Sequence, residues 1–106
     1  MIRYYVIPEK KTVIGVLNHT ENDVLNKIDK ILDGSCTCVY NEKYVMPSCF
    51  KAIVKCSDMD EFSAEEGMKI AKERIMNRYY RSYDKRFNMF LDDIDKINKR
   101  IETFKK

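Results

Sequence analysis

Phe50-Lys51-Ala52-Ile53-Val54-Lys55-Cys56, Ser57-Asp58-Met59-Asp60-Glu61-Phe62 and Ser63-Ala64-Glu65-Glu66 follow one another without a gap. The first stretch is rich in the apolar and β-branched residues that suit a pleated strand. The second is an acidic connector. The third is a capping box, in which the Ser63 hydroxyl and the Glu66 carboxylate satisfy each other's free backbone donors. Glu65 and Glu66 also suit the positive end of a helix dipole. Beyond this start, Ala64, Met68, Ala71, Ile75 and Tyr79 recur at helical spacing. A strand that passes through a short turn into a long helix points to an α+β fold.

Upstream, Ile2 to Ile7 is β-branched and aromatic, Pro8 to Lys11 reads as a turn, and Thr12 to Leu17 reads as the return strand of a hairpin. Gly15 inside that strand marks a bulge or a close backbone approach. Thr20 or Asn22 is suited to cap a helix. Val24, Leu25, Ile28, Ile31 and Leu32 give it an apolar side over residues 22–33, and Gly34 supplies a left-handed stop. Cys36–Tyr40 and Lys43–Met46 read as short strands around Asn41-Glu42, ended by Pro47-Ser48.

Downstream, the helical pattern runs almost to Lys106. Unbroken, it would be about 63 Å long at 1.5 Å per residue, so it either breaks at Ser82-Tyr83-Asp84, where Ser82 and Asp84 are good caps, or projects, and the break is the expectation. The expected architecture is a single domain, residues 1–106. It has a small antiparallel sheet in the order β-β-α-β-β, followed by two C-terminal helices in a helical part at 63–105.

The 106 residues suit one domain with a modest core. With 44% hydrophobic and 35% charged residues the composition is that of a globular chain. No apolar run approaches the roughly 20 residues of a membrane span, and Met1 to Lys11 lacks the pattern of a leader. A soluble, cytoplasmic protein is expected, with no membrane partner. Cys36, Cys38, Cys49 and Cys56 do not have a standard zinc spacing. They are read as thiols, and no metal or cofactor is predicted.

Charge is unevenly placed. Residues 1–68 carry 8 Lys/Arg and 11 Asp/Glu, whereas residues 69–106 carry 12 and 6. Such asymmetry suggests an anionic partner for the C-terminal part. Arg74, Arg78, Arg81 and Lys85 are spaced to share one side of a helix, with Tyr79, Tyr80 and Tyr83 flanking it. Arginine forks hold phosphates through paired hydrogen bonds, and tyrosine rings offer stacking platforms for bases. Arg74, Arg78, Tyr79, Tyr80, Arg81 and Lys85 are therefore the candidate ligand-binding residues.

Met76, Tyr80, Tyr83, Phe87, Phe90, Ile94, Ile97, Ile101 and Phe104 follow a 4,3 repeat, the mark of helix-on-helix packing. Tyr83, Phe87, Phe90, Ile94, Ile97 and Ile101 are the candidate oligomer interface, and a homo-oligomer is expected. The same seam also suits packing within one chain. Asp58, Asp60 and Glu61 are read as a solvated helix lead-in. His19 is the sole histidine. There is no Gly-rich phosphate loop and no H-E-x-x-H, so no catalytic residue is assigned and the chain is not expected to be an enzyme.

The stretch from Phe50 to Arg74 resembles a pattern in small phage and prophage proteins of low-GC Gram-positive bacteria. There a strand A-x-V-x-C passes through an acidic D-x-F turn into a helix with Gly, Ile-Ala and Arg. Ala52, Val54, Cys56, Asp60, Phe62, Gly67, Ile70-Ala71 and Arg74 carry the resemblance. A sheet followed by C-terminal helices is also similar to the anti-Thoeris sponge proteins, phage oligomers that sequester cyclic nucleotide signals without degrading them. That resemblance implies Arg and aromatic residues gripping a cyclic ADP-ribose-like molecule. The expectation is a phage anti-defence protein that binds a nucleotide-derived immune signal. The alternatives are a protein-directed inhibitor of a host defence nuclease, as an anti-CRISPR is, or a nucleic-acid-binding regulator.

Overall fold

The hairpin forms where β-branched and aromatic side chains are densest. The computed structural model describes residues 1–33, 42–57 and 59–105. In it β1 (Arg3–Ile7) and β2 (Thr12–Asn18) pair antiparallel, with Tyr5 opposite Ile14. One 3-10 turn, Pro8–Lys10, joins them, and the Lys11 N–H closes it by donating to the Pro8 carbonyl at 3.1 Å. β3 (Cys49–Lys55) pairs antiparallel with β2, Ile53 opposite Ile14 and Ala52 opposite Gly15. Among the described residues the sheet order β1-β2-β3 leaves β1 and β3 as edges.

Between β2 and β3 lies α1 (Asp23–Ile31), and α2 (Ala64–Lys105) closes the chain. The described chain is therefore α+β. It divides into two compact units, one of Met1–Glu21 and Pro47–Arg81, the other of Asn22–Met46 and Ser82–Lys106.

In the first unit the start of α2 packs on one face of the sheet. Phe50, Ala52 and Val54 are buried, while Cys49, Lys51, Ile53 and Lys55 between them are exposed. Ala71 and Ile75 are wholly buried, and burying an isoleucine side chain stabilises by about 1.5–3 kcal/mol. Two glycines bring helix and sheet this close. A methyl on Gly15 would stand 2.9 Å from Ile75 Cδ1, and one on Gly67 would stand 2.5 Å from Val13 Cγ2. The close approach expected at Gly15 is present, and the helix is what approaches.

In the second unit α1 buries Val24, Leu25 and Ile28. Phe90 is 3% exposed and meets Tyr44 edge-on, ring centroids 5.9 Å apart. Tyr83 stacks on Phe87 at 6.2 Å, and Phe87 reaches Phe90 at 6.0 Å.

Three expectations need correction. α2 is one helix of 42 residues, not two. Ser82 does not cap, because its hydroxyl and carbonyl accept from Arg86 Nη1 at 2.5 and 3.2 Å within the continuing helix. No glycine or proline follows Gly67 to stop it. Second, Lys43–Met46 is not a strand. Glu42–Tyr44 forms a 3-10 turn that turns Tyr44 and Met46 inward, and Pro47 has no N–H to give a ladder. Third, the β-β-α-β-β order is accordingly replaced, among the described residues, by β-β-α-β with a single helix after it.

The proposed strand Cys36–Tyr40, with Gly34 and Asn41, lies outside the described residues. Asn22 precedes α1 but its side chain makes no capping bond. The Thr20 hydroxyl instead donates to the Pro47 carbonyl at 2.5 Å. Among the described residues no helix is long and apolar enough to cross a membrane.

Candidate anion-binding site

The arginine row of α2 runs beside the free edge of β3. Arg78 Nη1 donates to the Lys51 carbonyl at 2.7 Å, and Arg74 Nη1 to the Ile53 carbonyl at 3.4 Å. Lys51 and Ile53 are alternate residues of an edge strand, so among the described residues their outward carbonyls have no further strand to serve. A guanidinium has five N–H donors. Each of these bonds uses one, which steadies the side chain and leaves the rest of the fork for an outside acceptor. Arg81, one turn on, is exposed, as is Lys85. Arg86 is engaged elsewhere, through Nε to the Val45 carbonyl at 2.8 Å and through Nη1 to Ser82.

The tyrosines are not gathered at this row. Tyr79 is half-buried, edge-on to Phe50 at 5.8 Å and to Tyr80 at 5.4 Å. Tyr80 is 54% exposed. A helix turns about 100° per residue, so Tyr80 and Arg78 project about 160° apart. The row offers arginines for phosphate, while the exposed ring lies on another side of α2.

Sequence reasoning missed the second face of the sheet. Tyr5, Ile14 and Ile53 stand in one cross-strand row there, with Arg3 and Lys51 in the row beside it. Alternation in Cys49–Lys55, exposed at every second residue, was the signal available.

The residues around Cys56 and Asp60 build the crossing from β3 to α2. The Cys56 N–H donates to the Lys11 carbonyl at 2.8 Å, and its thiol approaches the Asp60 and Glu61 carbonyls at 3.9 and 3.7 Å. Lys11 Nζ donates to the Asp60 carbonyl at 2.9 Å. Ser63 Oγ accepts from the Glu66 N–H at 3.2 Å, the expected half of the capping box. A cavity of about 110 Å³ lies among Val54, Cys56, Phe62, Gly67 and Ile70. Asp58, Cys36 and Cys38 lie outside the described residues. Among the described residues no three His, Cys, Asp or Glu side chains gather as a metal site would require.

In the second unit the 4,3 seam splits in two. Tyr83, Phe87 and Phe90 form the ring cluster already described, and Ile94 is half-buried. Ile97, Ile101 and Phe104 are exposed, Phe104 at 82%. Beside the ring cluster, Asp93 accepts a hydrogen bond from the Tyr44 hydroxyl and pairs with Lys43 Nζ. The Lys43 bond first, then that of Tyr44, holds the Asp93 carboxyl below the usual carboxylate range. Burial first, then the bond and charge of Asp93, pushes the Tyr44 phenol up. Tyr83 is raised too, by burial and then by the charges of Asp23 and Asp84.

No protein-family model, curated protein or solved structure matches the chain.

Proposed function

We propose that this protein binds a small nucleotide-derived anion, such as a cyclic ADP-ribose isomer or a cyclic oligonucleotide, and sequesters it without transforming it, as a phage would need to blunt a host defence signal. The arginine row carries this reading: Arg74 and Arg78 are braced on β3 with donors to spare, and Arg81 is exposed one turn away. These forks suit phosphate oxygens. A tightly held small ligand is usually enclosed over 70–90% of its surface, which one exposed helix flank does not provide. A second copy of the chain supplies that cover in this reading, and the exposed Ile97, Ile101 and Phe104 support self-association.

Native mass spectrometry of the protein with a panel of cyclic nucleotides and cyclic ADP-ribose isomers tests it. The expected result is a fixed added mass, released unaltered on denaturation. Loss of one charged hydrogen bond costs about 1.5–3 kcal/mol, so Arg81→Ala is expected to weaken binding by about 10- to 100-fold. A protein that ignores the whole panel, or an Arg81→Ala variant of unchanged affinity, rejects the reading. The same exposed apolar residues favour a second one, a protein-directed inhibitor of a host defence nuclease. Capture of one host protein, abolished by Ile101→Glu, would establish it.

A further inference from the structure

The sheet face turned away from α2 has a composition of its own. α2 lies against Val13, Gly15 and Phe50. The register sets the opposite face: Arg3, Val16 and Lys51 form one row, Tyr5, Ile14 and Ile53 the next, and Ile7, Thr12 and Lys55 the third. Tyr5 is 51% and Ile53 48% exposed. Every charged side chain in these rows is a cation, and none is a carboxylate.

The spacing of those cations favours an extended anion. The α-carbons of Lys51 and Lys55, four residues apart on one strand, stand about 13 Å apart, and that of Arg3 stands two strands from Lys51, about 10 Å. One phosphate reaches all three only if the long side chains converge on it, whereas a chain of phosphates meets each cation where it stands. Tyr5, on β1 in the middle row, offers a ring face, which a base can use once it is out of a duplex stack. An acidic peptide would satisfy the cations and leave the ring without a role.

We infer that this face binds single-stranded nucleic acid, with the backbone crossing Arg3, Lys51 and Lys55 and a base stacked on Tyr5. The site lies on the sheet face opposite α2, adjoins the arginine row only at the β3 edge, where Arg78 and Arg74 bond the Lys51 and Ile53 carbonyls, and takes a different ligand.

Fluorescence anisotropy of the full chain with fluorescein-labelled dT12 and rU12 tests this. Single strands lose about 0.7 in the log–log salt slope per phosphate neutralised. Three cations therefore give a slope of about −2, and affinity falls roughly 20-fold between 50 and 200 mM salt. Tyr5→Leu, which keeps apolar bulk and removes the ring, is expected to weaken binding about 5- to 100-fold, while Tyr5→Phe retains it. Lys51→Glu with Lys55→Glu is expected to flatten the slope to about −0.7. Arg81→Ala leaves oligonucleotide binding unchanged, which separates this site from the other. Thermal melts matching the parent protein show that each variant is folded. No binding at 50 mM salt overturns the inference. So does binding that survives both Tyr5→Leu and the lysine pair, or poly-glutamate that competes equally well and is indifferent to Tyr5→Leu. A dimer that Ile53→Glu converts to monomer assigns the face to a second copy and overturns it too.

Discussion

Replacing Gly67 by alanine tests the closest approach of α2 to the sheet. The added methyl would lie 2.5 Å from Val13 Cγ2 and 3.1 Å from Val13 Cβ, where carbon atoms prefer about 3.5–4.0 Å. Val13 has no room to yield. It is wholly buried, and its β-branched side chain is stiff about χ1. Forcing a methylene-sized group into a packed core costs about 1–3 kcal/mol. Alanine returns about 0.5–1 kcal/mol of helix propensity over glycine, less than the clash. The net expectation is a loss of about 1–2 kcal/mol. A domain near 100 residues loses about 4–8 °C in Tm per kcal/mol.

Circular dichroism melts and urea titrations measure this. Val13→Ala makes the necessary control, because it removes the Cγ2 methyl at 2.5 Å and leaves only the Cβ contact at 3.1 Å. In that background Gly67→Ala should cost less than in the parent, with a coupling of about 0.5–3 kcal/mol, as for residues in contact. A Gly67→Ala protein with raised Tm, or two effects that add within about 0.5 kcal/mol, would refute the reasoning.

Two further perturbations probe the second unit. Asp93 is held below the usual carboxylate range by Lys43 and Tyr44. Its contribution is therefore present above about pH 4, the unfolded value, and is lost as pH falls through the lower folded one. Tyr44 is shifted the other way, so its contribution is complete below about pH 10 and is lost as pH rises through the raised folded value. Asp93→Asn should remove the acid dependence and bring Tyr44 ionisation, followed by ultraviolet titration, back toward pH 10. An unchanged acid limb would contradict the assignment. Ile101 is 46% exposed, so Ile101→Glu should leave the melt within about 0.5 kcal/mol of the parent, as surface changes usually do. If the chain self-associates through Ile97, Ile101 and Phe104, light scattering should show this variant as a smaller species. An unchanged mass would exclude that surface.

Much of the local structure was legible residue by residue. The alternating, β-branched stretches marked all three described strands within a residue or two. The spacing of Val24, Leu25 and Ile28 marked α1, and Ser63 marked the start of α2. The errors lay where a local signal has two meanings. Ser82 and Asp84 are good caps only if a helix ends there. With no glycine or proline nearby, and with Arg86 bonded to Ser82, the helix continues. Lys43–Met46 has strand composition, yet a 3-10 turn satisfies Tyr44 better by burying its ring on Phe90 and bonding its hydroxyl to Asp93.

The candidate site divides in the same way. Helical spacing by itself determined that Arg74, Arg78 and Arg81 share one flank; the same angular arithmetic sets Tyr80 apart from them, which the expectation that the tyrosines flank the row overlooked. It did not determine what that flank meets. Tertiary structure decided that Arg74 and Arg78 brace the edge of β3, that Phe90 turns inward while Ile101 and Phe104 stay exposed, and that Tyr5, Ile53 and three cations share one face of the sheet. The physical reason is one of range. Periodicity and capping act over a few residues and are written in the local chain, whereas strand register and helix-on-sheet contact join residues as distant as Val13 and Gly67.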